Sequence, residues 1–452
     1  MQTIPPGDVS ALDLHVPTLG PCLVPSPLNL STLHGDGIPN YVPDDMRVIY
    51  QVEHKQGRTP DEPIWFEKAG PRHKIFFRPE DVRVGIVTCG GLCPGINNVI
   101  RSIVLELHHK YGATNILGFR YGYEGLDPNT AVEPMVLKPA DVMHIHRQGG
   151  SLLGLSRGGH DIGTLVDSLV RSQINVLFTI GGDGTLRGAH QIAQEINRRG
   201  LEISIVGIPK TIDNDIEFID KTFGFDTAVE LARMAVDAAH TEALSAFNGI
   251  GIVKLMGRDS GFIAASATLA SRDVNFCLVP EVPVELEGPN GLLATVEARV
   301  ERRRHAVIVV AEGCAAYMMA PSASRDDSGN ARYASPDLDV GTYLRDEITR
   351  YLKSRRLRAT VKYIDPSYMI RSVCANAQDA IFCDALARNA VHAAMAGKTD
   401  LVIGRVHRVF THVPLRLIAG RRKQINPDGG VWLAVTEATE QPRQRRSESD
   451  NP

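Results

Sequence analysis

The sequence predicts an α/β protein: two Rossmann-like lobes with parallel sheets and a cleft between them, plus an N-terminal arm. Three observations predict it. From Arg83 onward, short apolar runs alternate with amphipathic or small-residue stretches, the pattern of strands covered on both faces by crossover helices. Nearly every cluster of glycine, acid or arginine falls directly after one of these runs, where parallel sheets collect ligands. The 452 residues suffice for two such units, each with its own core.

Residues 1–80 form a leader whose first forty positions hold no Lys or Arg and carry Pro5, Pro6, Pro25 and Pro27. Proline fixes φ and removes a donor, so an extended arm is expected there rather than regular structure. From Met46 the chain turns strand-like (RVIYQV), and the leader closes on PRHKIFF. A first lobe is expected over 81–235. In it VGIVT runs into CGGLCPGINN and the helix NVIRSIVLELHHKYG, VLFTI into GGDGT and LRGAHQIAQEINRRG, and ISIVGIP into KTIDNDI and TAVELARMAVDAAHTEAL. A second lobe is expected over 236–410, with the chain free to cross between the two. It opens with GIGIVKLM, GRDSG and FIAASATLAS, and AVIVVAEGC adds a buried strand with a charge at its end. Residues 411–452 are expected as a C-terminal segment whose last dozen, QPRQRRSESDNP, are disordered. The polar stretch Tyr317–Pro336 is expected as a mobile surface loop. No internal repeat of about 20–50 residues is evident.

Composition removes several classes of function. A formal charge of −3 gives no global reason to expect nucleic acid or an anionic membrane as partner, so phosphate chemistry has to come from local donors. No apolar run approaches the ~20 residues of a spanning helix. The first residues, MQTIPPGDVSALDLHVPTLG, read neither as a secretory signal nor as an Arg-rich transit peptide. Seven cysteines form no pairing framework, and Cys89 and Cys93 lack the second pair that a zinc site needs. A cytoplasmic protein with reduced thiols is expected.

Chemistry concentrates in the turns. Gly181-Gly182-Asp183-Gly184-Thr185 lets the backbone approach phosphates, adds the amides of a helix start, and supplies Asp183 as a hard ligand for Mg²⁺. A plain βα turn also uses glycine, but has no need of three glycines and an acid. The same motif serves kinases acting on NAD or diacylglycerol, so it indicates nucleotide phosphate chemistry without naming the acceptor. In Pro209-Lys210-Thr211-Ile212-Asp213-Asn214-Asp215, two carboxylates at a strand end can divide the work. One takes a proton from an attacking hydroxyl and the other supports the metal field; Asp213 is the candidate base. Capping or turn roles are the structural alternative. Gly90-Gly91 offers a second phosphate cradle, and Arg157, beside Gly158 in SLLGLSRGGHD, can reach a transferring phosphoryl group. Arg258 and Arg371 suit a sugar phosphate and Glu312 suits sugar hydroxyls, although each also has an ordinary ion-pair role open to it.

The motifs GIVTCGGLCPGINNVIRSIV, GGDGT, PKTIDNDI, FGFDTA, VKLMGRDSGFIA, AEGC and YIDPSYMIR stand in the order found in phosphofructokinases. The chain resembles that family over roughly residues 40–410, and most closely its plant-like and trypanosomatid-like branch. The resemblance implies a glycolytic, ATP-dependent 6-phosphofructokinase that is allosterically regulated and forms a homo-oligomer, dimer or tetramer. It implies that the first lobe binds nucleotide and the second binds sugar phosphate. Asp213 is then the base for the fructose 1-hydroxyl, with Arg157 and Arg258 stabilising developing charge and Asp183 holding Mg²⁺. Gly91, Arg157, Gly158, Gly182, Asp183, Gly184 and Thr185 resemble the nucleotide site. Thr211, Ile212, Asp213, Met256, Gly257, Arg258, Glu312, Tyr368, Met369, Ile370 and Arg371 resemble the site for fructose 6-phosphate. Lys362 stands where a bacterial-type enzyme reaches across from a neighbouring subunit, whereas Gly249 replaces an arginine that such enzymes use on the sugar phosphate.

Two positions bear on the donor. Gly184 follows the ATP pattern, in which a small residue leaves room for the α-phosphate, while Lys210 follows the pyrophosphate pattern. An added carboxylate at 184 would fill space and repel phosphate, whereas a lysine can turn aside, so ATP is the expected donor. A pyrophosphate-dependent enzyme and a non-catalytic regulatory subunit of the same fold are the alternatives. Intact Asp183, Asp213 and Arg258 argue against the subunit.

Overall fold

A computed structural model describes residues 12–33, 37–53, 63–130, 132–319, 321–325, 331–333, 339–439 and 441. Its main elements, in chain order, are β1 (Arg47–Ile49), β2 (Trp65–Lys68), β3 (Arg83–Thr88), α1 (Ile96–Glu106), β4 (Asn115–Phe119), β5 (Met135–Val136), β6 (Val176–Gly181), α2 (Asp183–Arg198), β7 (Ser204–Pro209) and α3 (Phe225–Ser245). There follow β8 (Gly249–Leu255), α4 (Phe262–Ser271), β9 (Phe276–Leu278), β10 (His305–Ala311), β11 (Thr360–Ile364), α5 (Ala377–Met395), β12 (Leu401–Val406), β13 (Val409–Pro414) and α6 (Gly430–Ala438).

The first lobe is built on a nine-stranded sheet in the order β1-β2-β13-β12-β7-β6-β3-β4-β5. Its centre, β12-β7-β6-β3-β4, is parallel. Antiparallel pairs extend both flanks. The second lobe carries a four-stranded parallel sheet, β9-β10-β8-β11. β6 and β7 are buried along their whole length, as strands covered on both faces must be. Phe66, Phe178, Phe218, Phe223 and Phe276 are fully buried, each contributing about 2 kcal/mol of apolar burial.

The chain crosses between lobes more than once. β12 and β13 return residues 401–414 to the first sheet, after which α6 packs on α4 of the second lobe. The arm runs extended along the first lobe, with Leu19 N–H donating to Gly397 O (2.9 Å) and Thr399 N–H to Pro17 O (3.0 Å). Val24–Pro25 pairs antiparallel with Lys74–Ile75. The expected loop Tyr317–Pro336 is in part a β-ladder, because Pro321–Arg325 pairs antiparallel with Ala331–Tyr333. Ladder hydrogen bonds satisfy a polar chain as well as water does. The rest of that stretch from residue 320 on, and the tail after 441, lie outside the described residues. Among the described residues no helix is long and apolar enough to cross a membrane.

Candidate active site

Parallel strands aim their carboxyl ends one way, and the predicted motifs occupy those ends. Gly90-Gly91 follows β3, GGDGT spans the end of β6 and the start of α2, and PKTIDND follows β7. In the second lobe MGRDSG follows β8, Glu312 follows β10, and the YIDPSYMIR turn follows β11. Loops of the two lobes touch: Ser260 Oγ donates to the Asp213 carbonyl at 3.2 Å. A Cβ on Gly91 would lie 3.1 Å from Arg157 Nη2 and 3.6 Å from Arg371 Nη1, so two arginines crowd a bare backbone. Two guanidinium groups beside bare backbone have the chemistry to hold an anion.

At the start of α2, Gly184 is exposed, and apart from its own helix turn nothing lies within 4 Å of where its Cβ would sit. Lys210 does not enter that space. It is 4% exposed and its Nζ donates to Gly91 O at 2.6 Å. Burial pushes the ammonium pKa down, opposed by the neighbouring Cys93 and Cys89. Asp183 Oδ2 pairs with Arg187 Nη2 at 2.6 Å, while Asp183 Oδ1 is buried with no hydrogen-bond partner among the described residues.

The Asp213 loop is held from within. Thr211 Oγ1 accepts from Asp213 N–H (3.1 Å) and donates to Asp215 Oδ1 (3.1 Å). Asp213 Oδ1 is buried and unpartnered among the described residues. Burial first, then the charges of Asp215 and Glu312, push the Asp213 carboxyl well above the usual range, against the opposing Arg422. A carboxylate so destabilised is a stronger base once ionised.

In the second lobe Gly257 has φ +124°, and a Cβ there would meet Ser260 O at 2.4 Å, so only glycine fits beside Arg258. Burial raises the Glu312 pKa, opposed by Lys254, Arg258 and Arg371. The Arg371 guanidinium lies 4.7 Å from the centroid of the Tyr368 ring, and its Nε is buried without a hydrogen-bond partner among the described residues. Ile212 and Ile370 point into the core, which leaves only their main-chain groups for a ligand. Lys362 is exposed on β11, 4.0 Å from Glu242. Gly249 admits no arginine, since its Cβ would fall 2.1 Å from Ala243 O.

These groups fit a hard divalent ion that is shared with phosphate: they are carboxylates, and Asp183 Oδ1 and Asp213 Oδ1 are unpartnered among the described residues. Among the described residues no three His, Cys, Asp or Glu side chains group closely enough for a protein-only metal cage.

Sequence comparison decides the family, because the Phosphofructokinase family profile matches residues 83–394. The chain belongs to the phosphofructokinase family. It is 48% identical to an ATP-dependent 6-phosphofructokinase of Borreliella burgdorferi, over 95% of this chain and 97% of the relative. It is 47% identical to the chloroplastic ATP-dependent 6-phosphofructokinase 5 of Arabidopsis thaliana, over 84% of this chain and 69% of that one. A pyrophosphate-dependent phosphofructokinase from Marinobacter aquaeolei shares the fold, with a TM-score of 0.64 at 20% identity, covering 81% of this chain and 94% of that one.

Predicted residues of the two lobes meet where Ser260 bonds Asp213 and where Arg371 approaches Gly91, and further charges join them. Arg422 pairs with Asp215 (3.2 Å) and with Asp259, and lies 3.7 Å from Asp183. Lys423 is half-buried and donates to Ile219 O at 2.7 Å; desolvation pushes its pKa down to about 8. Their sequence signal, Arg421-Arg422-Lys423, reads as ordinary surface charge, and nothing in its spacing points to the cleft.

Proposed function

We propose that the chain transfers the γ-phosphoryl group of ATP to the 1-hydroxyl of fructose 6-phosphate, giving fructose 1,6-bisphosphate and ADP. The open space at Gly184 carries the choice of donor, since a nucleotide needs room there that pyrophosphate does not. Relatives close to half identical that are named ATP-dependent support it.

Asp213 removes the proton from the 1-hydroxyl as it attacks in line, and burial beside Asp215 and Glu312 raises its affinity for that proton. Asp183 would hold Mg²⁺ through its unpartnered Oδ1. Held by Asp183, the ion would supply positive charge against the transferring group. Gly91, Gly158, Gly182 and Thr185 line the nucleotide phosphates, and Arg157 and Arg258 stabilise charge as it develops. Arg371 holds the sugar phosphate beside Tyr368, and Glu312 orients sugar hydroxyls. Tyr368 and Met369 are 74% and 71% exposed next to this site, which supports a homo-oligomer whose neighbouring copy covers them. We place the enzyme in the cytoplasm.

The test is product formation from fructose 6-phosphate and Mg²⁺, with ATP and pyrophosphate supplied separately. Turnover with ATP alone is expected. Turnover with pyrophosphate alone overturns the donor, and turnover with neither overturns the catalytic reading in favour of a regulatory subunit.

A further inference from the structure

The last crossing between lobes passes through the cleft. β13 and the short helix Leu415–Ile418 belong to the first lobe, α6 docks on the second, and residues 421–425 run between them. This strap bonds to both sides. Lys423 N–H donates to Asp215 O (2.9 Å) in the first lobe. Gln424 Nε2 donates to Asp259 O (3.0 Å) and Ile425 N–H to Glu281 Oε1 (2.9 Å) in the second. Glu281 Oε1 in turn accepts from Gly261 N–H at 2.9 Å.

Arg422 sits at the middle of the strap. Its Nη1 serves Asp215 Oδ2 at 3.2 Å and Asp259 Oδ2 together, and its Nη2 lies 3.7 Å from Asp183 Oδ2. Asp215 is two residues beyond Asp213 in a short, internally bonded loop. Asp259 is the residue after Arg258. A continuous path therefore runs from Asp213 through Asp215, Arg422 and Asp259 to Arg258. We propose that Arg422 is a positioning residue that clips the two lobes together across the cleft and fixes the separation between the base and the sugar-phosphate anchor. The proposal rests on the roles given above to Asp213 and Arg258.

A planar guanidinium can hold two carboxylates in fixed geometry, which a point charge on a flexible stem cannot. Positioning errors near ~1 Å are costly in in-line transfer. The Arg422→Ala protein is therefore expected to bind fructose 6-phosphate about tenfold more weakly by calorimetry and to lose about tenfold in kcat. Its calorimetric affinity for ADP with Mn²⁺ is expected to stay within about twofold, since Arg187 still holds Asp183 Oδ2. Guanidinium at about 20 mM, far below denaturing concentrations, should restore part of the turnover, and Arg422→Lys should restore little.

Asp259→Asn breaks the same clip from its other end, and the double variant should be no worse than the poorer single variant. Circular dichroism melting reads folding for each protein, and Asp259→Asn carries the test if Arg422→Ala does not fold. Unchanged sugar-phosphate affinity and kcat, additive losses in the double variant, or an equal loss of nucleotide affinity each overturn the clip. Wild-type protein without fructose 6-phosphate turnover instead overturns the catalytic reading on which it rests.

Discussion

Gly184→Asp separates donor selection from folding. Residue 184 is the second position of α2, exposed, and free of contacts outside its own turn, so the new side chain enters without strain. A carboxylate in the first helical turn is favourable by about 0.5 kcal/mol, and replacing glycine in a helix adds a further ~0.5 kcal/mol. The thermal midpoint is therefore expected to hold or rise. Catalysis should suffer. An effective dielectric of about 20 and a separation of ~6 Å give about 3 kcal/mol of repulsion against one phosphate charge. At about 1.4 kcal/mol per decade this is roughly two orders of magnitude in kcat/KM for ATP. The new group also takes the space a nucleotide needs. The assay is a coupled measurement of ADP release at saturating fructose 6-phosphate, with the melting curve run alongside. A well-folded variant that loses less than about threefold in kcat/KM for ATP would refute the claim that room and charge at position 184 admit the nucleotide.

Asp213→Ser should lower kcat by about two to four orders of magnitude with little change in fructose 6-phosphate KM, read by steady-state kinetics. Its stability signature has a definite sign. The folded carboxyl has a raised pKa, so the folded state binds the extra proton and wild-type stability falls as pH rises from near the ordinary value of 3.8 through the raised one. Asp213→Ser should flatten that part of the stability curve in urea titrations at stepped pH. Glu67 behaves oppositely. Burial alone would raise its pKa, but hydrogen bonds and charge from His412 and Lys398 hold it well below the ordinary value of 4.5. Its stabilisation is then present above that value and lost as pH falls. Burial depresses His412, so Lys398 (3.0 Å) and Arg72 (3.0 Å) are the lasting cations. Glu67→Gln should cost about 3 kcal/mol in urea unfolding while kcat is unchanged. Gly257→Ala, forced against Ser260 O from a φ of +124°, should displace Arg258 and raise the KM for fructose 6-phosphate about tenfold.

What could be read from sequence tracks how local its physics is. Continuous apolar runs such as VLFTI and AVIVV, each followed by a charged or glycine-rich turn, announce buried parallel strands and their ligand-facing ends. The β12–β13 hairpin announces nothing comparable. Its two-residue turn is His407-Arg408, with φ of +49° and +66°, a primed turn built without the Asn-Gly that signals one. Its place beside β7 is a long-range choice that no window of sequence contains. The same holds for Arg422. A basic triplet looks like solvated charge until the fold draws the C-terminal segment through the cleft, where three carboxylates meet it. The ladder within Tyr317–Pro336 was hidden for another reason, since PSASR and ARY carry no alternating apolar face to betray a strand.

The conflict between Gly184 and Lys210 dissolves once each is located. Lys210 spends its ammonium on the Gly91 carbonyl at 2.6 Å and is almost wholly buried, so it braces the loop after β7 against the loop after β3. Removing it would leave Gly91 O without that donor, a cost of about 1–3 kcal/mol if the carbonyl stays buried. That cost arises whichever phosphate compound is bound. A residue with such a structural role is retained for that role, and its identity reports the loop packing rather than the donor. Position 184 carries no comparable constraint. It is exposed, touches nothing beyond its own helix turn, and abuts the carboxylate proposed to face the metal. Where two residues point to different donors, the one under no packing constraint is the one whose identity is free to answer to the ligand.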